Sequence, residues 1–177
     1  MTTQMHRSRE RLYGMKGQFQ GQDEVIIEAP HELIWSILID GHQLSDWMPI
    51  VKQTTSEIES ISQIRTCDVE MGGKSGEVRE QCTLFDDQRE IGWEMLSDDF
   101  GFSRMFNNYG FSFELIPLGN NRTRVINRGF YDPRNPFVSV LNTVMIKRRS
   151  SKIRQSALRG IKALAEKHGS KQHKSNT

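Results

Sequence analysis

The sequence predicts an α+β fold in which a curved antiparallel sheet wraps one long C-terminal helix. Three observations carry this expectation. Residues 135–168 contain no proline after Pro136 and one glycine, Gly160. A series of short alternating runs precedes them, joined by turn residues, as in a meander. Two short helical pieces follow the first of these runs, so helices flank the strands at both ends of the chain.

The terminal helix is expected to start at Asn135-Pro136, an N-cap residue followed by proline at the first helical position. Its length corresponds to roughly 50 Å at about 1.5 Å per residue. Residues 137–146 are mostly apolar, and the chain is basic from Lys147 onward. Ile153, Ala157, Ile161 and Leu164 continue an apolar stripe at helical spacing. The apolar half and the stripe are expected to form one wall of a cavity, with the basic residues on a solvated outer face. Ser150, Ala157 and Gly160 either leave room for a ligand or allow close packing against the sheet.

The remaining elements follow in order. Residues 1–20 read as a flexible arm, because polar and basic residues dominate and Gly14, Gly17 and Gly21 interrupt any helix. A β-branched run at 24–28 is the first strand, ended by Ala29-Pro30. Leu33, Ile34, Ile37 and Leu38 mark a short helix over 31–39, stopped at Asp40-Gly41. A helical turn over 44–48 closes at Pro49. Strands are expected at 51–58, 63–71, 77–85, 90–96, 110–117 and 123–131. Gly72-Gly73 between two alternating runs marks a hairpin. Residues 98–109 collect Phe100, Phe102, Met105, Phe106 and Tyr109 around Gly101. That segment is either a mobile cavity mouth or partner-binding edge, or a long hairpin with ordinary packing.

With 177 residues the chain fits one domain with a substantial core. The expected organisation is an arm at 1–20, a ligand-binding domain at 21–168 and a basic tail at 169–177. No run of about 18 apolar residues indicates a membrane span. The polar, basic start lacks a secretory apolar region, so a cytoplasmic location is expected. Cys67 and Cys82 make neither a disulfide framework nor a zinc pattern, and the five histidines do not cluster. Dinucleotide, phosphate-loop and Ser/His/Asp motifs are missing, so neither metal nor cofactor is expected. Charge is uneven. Residues 147–177 hold ten lysines and arginines against Glu166 alone, a balance of +9 within a chain of net +2, so the rest carries −7. This either serves an anionic partner or suits a solvated helix C-terminus. No nucleic acid is expected, and peripheral membrane contact is left open.

Val25-Ile26-Ile27-Glu28-Ala29-Pro30, then Leu33, Trp35 and Ile37, then Asp40 and Leu44-x-x-Trp47-x-Pro49 resemble the opening of START-like (SRPBCC) proteins. Within them the chain is most similar to the polyketide cyclase/dehydrase and lipid-transport group. A second match runs from Gly119-x-x-x-Thr123-Arg124-Val125 through Gly129-x-Tyr131-x-Pro133-x-x-Pro136. The resemblance spans residues 24–166 and rests on turn, packing and cap residues, which specify fold rather than activity. It implies a helix-grip fold with a cavity between sheet and helix. It also implies a hydrophobic or aromatic small ligand such as a lipid or polyketide. A cyclase/dehydratase is the other activity it implies, while the basic helix suggests a third reading, a non-catalytic interaction module with an anionic surface. No Rieske-type cysteine/histidine cluster supports the ring-hydroxylase branch.

Strand alternation nominates the cavity wall. On 63–71 Arg65 shares a face with Cys67, Val69 and Met71, and on 77–85 Glu80 shares one with Val78, Cys82 and Leu84. A hairpin turning on Gly72-Gly73 would pair Arg65 with Glu80, and Cys67 with Val78 rather than Cys82. The charged pair either anchors a ligand carbonyl, carboxylate or phenol, or forms a structural ion pair near the sheet edge. On the last strand Asn127 and Tyr131 share a face; they are either hydrogen-bond donors into the cavity or structural residues, Tyr131 packing beside Pro133 and Asn127 satisfying the backbone. In a cyclase they would stabilise an enolate while Glu80 moves protons. Trp93, Phe111 and Phe113 either line the cavity wall or belong to the core, while Trp47 reads as a packing residue. Catalytic residues and oligomeric state are not assigned.

Overall fold

The computed structural model describes residues 14–57 and 60–175, with side chains up to Gly169. Seven strands form one antiparallel sheet in the order β1-β7-β6-β5-β4-β3-β2. They are β1 (Phe19–Ile27), β2 (Val51–Thr54), β3 (Ile64–Met71), β4 (Lys74–Asp86), β5 (Glu90–Asp98), β6 (Phe106–Gly119) and β7 (Arg122–Pro133). Sequential strands pair through short turns, and β1 returns beside β7. The first two strands therefore occupy opposite edges. Helices α1 (His31–Ile39) and α2 (Leu44–Trp47) carry the chain between them, which explains helices at an otherwise odd place in a β-rich segment. The fold is the expected helix grip. In the terminal helix, α4 (Pro136–Leu141) leads through a π-helical turn, Asn142–Ile146, into α5 (Lys147–Ser175), after a short α3 (Phe102–Met105) between β5 and β6.

The core lies between the sheet's concave face and the helices. Ile34, Trp35, Ile37 and Leu38 of α1 are buried in it with Trp47, Trp93, Phe113, Ala157 and Ile161. Trp47 stands edge-on to Phe113, ring centroids 5.6 Å apart, so it is a packing residue. A β-carbon on Gly160 would lie 2.0 Å from the Trp47 carbonyl oxygen, so this glycine serves close packing rather than ligand space.

Several expectations change. Most strands run longer than their alternation suggested; β2 instead ends at Thr54 and β3 starts one residue late, at Ile64, and residues 58 and 59 lie outside the described residues. Residues 14–20 are not a loose arm. Met15 is buried, with its sulfur and methyl over Gly92 and Gly110. The Lys16 amide and ammonium both donate to the Glu94 carboxylate. A β-carbon on Gly17 would collide with the Asn108 carbonyl, so this glycine marks a close approach of backbones. Residues 1–13 of the expected arm, residues 176 and 177 of the tail, and the tail side chains from 170 lie outside the description.

Leu84 is also displaced from its expected face. A bulge between Cys82 and Leu84 inserts one residue and reverses the alternation. Leu84 then lies beside Gly14, while Phe85 packs against the core edge-on to Trp35.

The first half of the terminal helix does not wall a cavity. Phe137, Val140, Val144 and Met145 are 78%, 66%, 70% and 62% exposed. The inward positions are instead Val138, Asn142, Ile146 and Ser150, spaced four apart. In an α-helix such a stripe drifts around the axis, because a turn takes 3.6 residues. The wider π turn offsets that drift. Asn135 caps the start, its side-chain oxygen accepting from the Val138 amide at 2.9 Å.

Candidate functional site

Inward residues of β2 to β7, together with α2, α3 and α5, line a cavity of about 120 Å³. Its apolar lining includes Leu44, Met48, Val69, Met95 and Ile153. The β3–β4 hairpin turns on Gly72 and Gly73 at φ +62° and +77°, the left-handed geometry of a two-residue turn. Met71 therefore opposes Lys74 and Arg65 opposes Glu80. Cys67 faces Val78, and both cysteines are buried and outside any disulfide.

Arg65 and Glu80 both line the cavity. Arg65 Nε and Nη2 lie 2.9 and 2.8 Å from Glu80 Oε2, with both side chains at least nine-tenths buried. The guanidinium also stands 4.3 Å above the Trp93 ring. Desolvation, which would make either charge costly alone, is offset by pairing and by the ring face.

Trp93 and Phe113 do not line the cavity. Trp93 is covered by Arg65 and by Phe111, stacked at 5.4 Å, and Phe113 lies between Trp93 and Trp47. Both point to the concave side as alternation required, but other side chains lie over them. Phe111, Asn127 and Tyr131 do reach the cavity. The Asn127 amide oxygen is buried and has no hydrogen-bond partner among the described residues. Tyr131 donates its hydroxyl to Asn142 Oδ1 at 2.7 Å, and Asn142 Nδ2 donates to Gln20 Oε1 at 3.3 Å. This chain joins β7, the π turn and β1.

Tyr109, Ser150 and Arg154, none of them nominated from sequence as a polar contact for a ligand, also line the cavity. Tyr109 stacks on Tyr131 with centroids 5.3 Å apart, turned inward by a bulge between Asn107 and Gly110. Burial, then the neighbouring Tyr131, push its phenol up to about 12, so it remains a hydrogen-bond donor at neutral pH. Burial likewise raises Tyr131. Ser150 and Arg154 come from α5, and Arg154 Nε donates to Asp23 of β1 at 2.8 Å. Asp23 also accepts from Ser151 and Gln155. Burial would raise the Asp23 carboxyl, but the bonds from Gln155, Ser151 and Arg154 outweigh it and hold it below its ordinary value. The aromatic richness of 98–109 hinted at Tyr109, whereas nothing local connects Asp23 to a helix more than a hundred residues later.

The 98–109 segment is pinned. Asp98 accepts from the amides of Phe100, Phe102 and Ser103 at 2.7–2.9 Å. Gly101, at φ +87°, makes the turn before α3. Phe102 and Tyr109 line the cavity, and Phe106 packs beside Tyr131. Among the described residues no group of three or more His, Cys, Asp or Glu could hold a metal ion, and no helix is long and apolar enough to cross a membrane.

A sheet closed on a helix around a largely apolar cavity with a few inward polar groups defines a helix-grip protein. The family model for polyketide cyclase/dehydrase and lipid transport matches residues 18–166, and the chain belongs to that family. Among solved structures it is similar to a START superfamily protein from Mycobacterium smegmatis. That match has a TM-score of 0.67 at 19% identity and covers 83% of this chain and 97% of the other. The Zhui aromatase/cyclase from Streptomyces sp. R1128 matches at TM-score 0.64 and 17% identity, covering 82% and 92%. A norcoclaurine synthase point mutant from Thalictrum flavum, in complex with a transition-state analogue, matches at 0.64 and 16%, covering 84% and 94%. At these identities the likeness is one of fold. Comparison with curated protein sequences finds no match.

Proposed function

We propose that the cavity binds a small, largely apolar, aromatic molecule carrying one hydrogen-bonding group. The observation that carries this reading is Asn127, whose buried amide oxygen has no partner among the described residues on a cavity wall. A buried polar atom left unpaired costs about 1–3 kcal/mol, which a ligand hydroxyl or N–H would recover. Phe111, Tyr109 and Tyr131 supply flat apolar faces. Arg65 and Glu80 neutralise one another, so a neutral ligand suits the site better than an ion. The volume of about 120 Å³ compares with a cavity of roughly 150 Å³ that holds benzene. One aromatic ring or a slim chain fits as the protein stands, and a polycyclic ligand would require the helix to move. A reducing compartment such as the cytoplasm suits the two buried cysteines, which form no disulfide.

Native mass spectrometry of the purified protein, searching for a co-purified small molecule, is the first test. Titration with phenol and with toluene then reads the polar contact. Asn127→Leu is expected to weaken phenol about tenfold while leaving toluene unchanged. Equal effects on both probes, or no binding of either, would remove the assignment.

A cyclase or dehydratase activity is the second reading, favoured by the Tyr109 and Tyr131 phenols in the cavity. Such donors would stabilise a developing enolate beside Asn127, with Glu80 moving protons. The ion pair between Glu80 and Arg65 ranks this reading below simple binding. Loss of water from a β-hydroxy ketone, followed by mass and abolished in Glu80→Gln, would reverse that order.

A further inference from the structure

We infer that the start of the terminal helix docks on a lipid bilayer bearing anionic headgroups. Phe137, Val140, Val144 and Met145 are each more than 60% exposed, although large apolar side chains in consecutive turns normally face a core. Their helix already has its partner. Val138 and Ile146 pack with Phe106 and Tyr131, so the exposed residues are not the helix's buried stripe turned outward. They form a second apolar face with nothing over it among the described residues, as expected of an interaction surface.

Charge identifies the occupant. Lys147, Arg148, Arg149 and Lys152 follow at once and are exposed. None of them forms an ion pair among the described residues. No acid occurs between Asp132 and Glu166. Apolar side chains flanked by unpaired cations match the layering of an anionic bilayer, with acyl chains beneath phosphate headgroups. A second copy of the chain fits less well, because a two-fold contact repeats the same surface and so brings no acid from this segment to meet these cations. The same helix supplies Ser150, Ile153 and Arg154 to the cavity, interleaved with these basic residues. A docked helix would thus hold the cavity near the lipid interface. The inference does not depend on what the cavity binds.

The test is co-sedimentation of the full chain with phosphatidylcholine vesicles, with and without phosphatidylglycerol. Sedimentation velocity without lipid is run beside it. Binding is expected on the anionic vesicles and weak on phosphatidylcholine alone. It should fall when added salt shortens screening to about 3 Å. Arg148→Gln with Arg149→Gln is expected to lower partitioning roughly thirtyfold. Phe137→Ser with Val144→Ser leaves every charge in place and is expected to lower it about tenfold or more. These positions are exposed, and an unchanged thermal melt checks the fold, with Val144→Ser alone as the milder variant. Absence of binding to anionic vesicles, or full binding by the serine variants, overturns the inference. So does self-association that Val144→Ser abolishes, since the face would then join two copies.

Discussion

Gly160 lies against the backbone of Trp47 so closely that a β-carbon there would stand 2.0 Å from the Trp47 carbonyl oxygen. The helix is seated on α2 at this point. Gly160→Ala is expected to destabilise by at least about 1–3 kcal/mol, because neither backbone can yield cheaply. Gly169 in the same helix has nothing within 4 Å of its β-carbon position, and Gly169→Ala should stabilise by up to about 1 kcal/mol. Urea unfolding of both variants checks the pair, and equal behaviour would show that α2 does not set the helix position.

Removing one partner of the Arg65–Glu80 pair strands a buried charge. Arg65→Met or Glu80→Gln is each expected to cost about 3–5 kcal/mol, and the double variant clearly less than their sum. The cycle is read from urea midpoints. Additive losses would mean that the two side chains act independently despite their 2.8 Å contact.

Asp23 fastens β1 to α5 through Ser151, Arg154 and Gln155. Its folded-state carboxyl lies below the ordinary value, because these bonds outweigh burial. The fold therefore favours its charged form. That stability is fully present above about pH 4 and is lost as pH falls through the lowered folded value. Asp23→Asn should be less stable than the parent at neutral pH by about 1–3 kcal/mol. The gap should close on acidification. Thermal melts from neutral pH to pH 2 read it, and a gap independent of pH would assign the loss to something other than the charge.

Asp98 gathers three backbone amides, and its carboxyl is likewise held low against the raising effect of burial. Asp98→Ala is expected to cost about 1–2 kcal/mol. It should also speed amide exchange at Phe100, Phe102 and Ser103 ahead of the strands. Uniform exchange across the sheet would show that the segment does not open on its own.

The parts of the fold legible in the sequence were those with local causes. Pro30, Pro49 and Asn135-Pro136 mark real helix boundaries. The Gly72-Gly73 turn set a register from which the Arg65–Glu80 contact follows. Alternation decides only which side of a sheet a residue faces. It could not show that Arg65 and Phe111 cover Trp93, or that a bulge turns Leu84 away. The Asp23 cluster joins positions more than a hundred residues apart, and Asn142 meets the site through the Tyr131 hydroxyl, a contact that nothing local announces. The apolar run 137–146 misled for a simpler reason: composition does not say whether a partner covers a face.

The π turn at Asn142–Ile146 holds about one residue more than an α turn would, and Tyr131 is bonded to its first residue. Tightening it would rotate the Phe137–Leu141 piece by roughly a quarter turn about the axis. Phe137 and Val140 ride on that piece, so the direction they face is set by the width of this one turn.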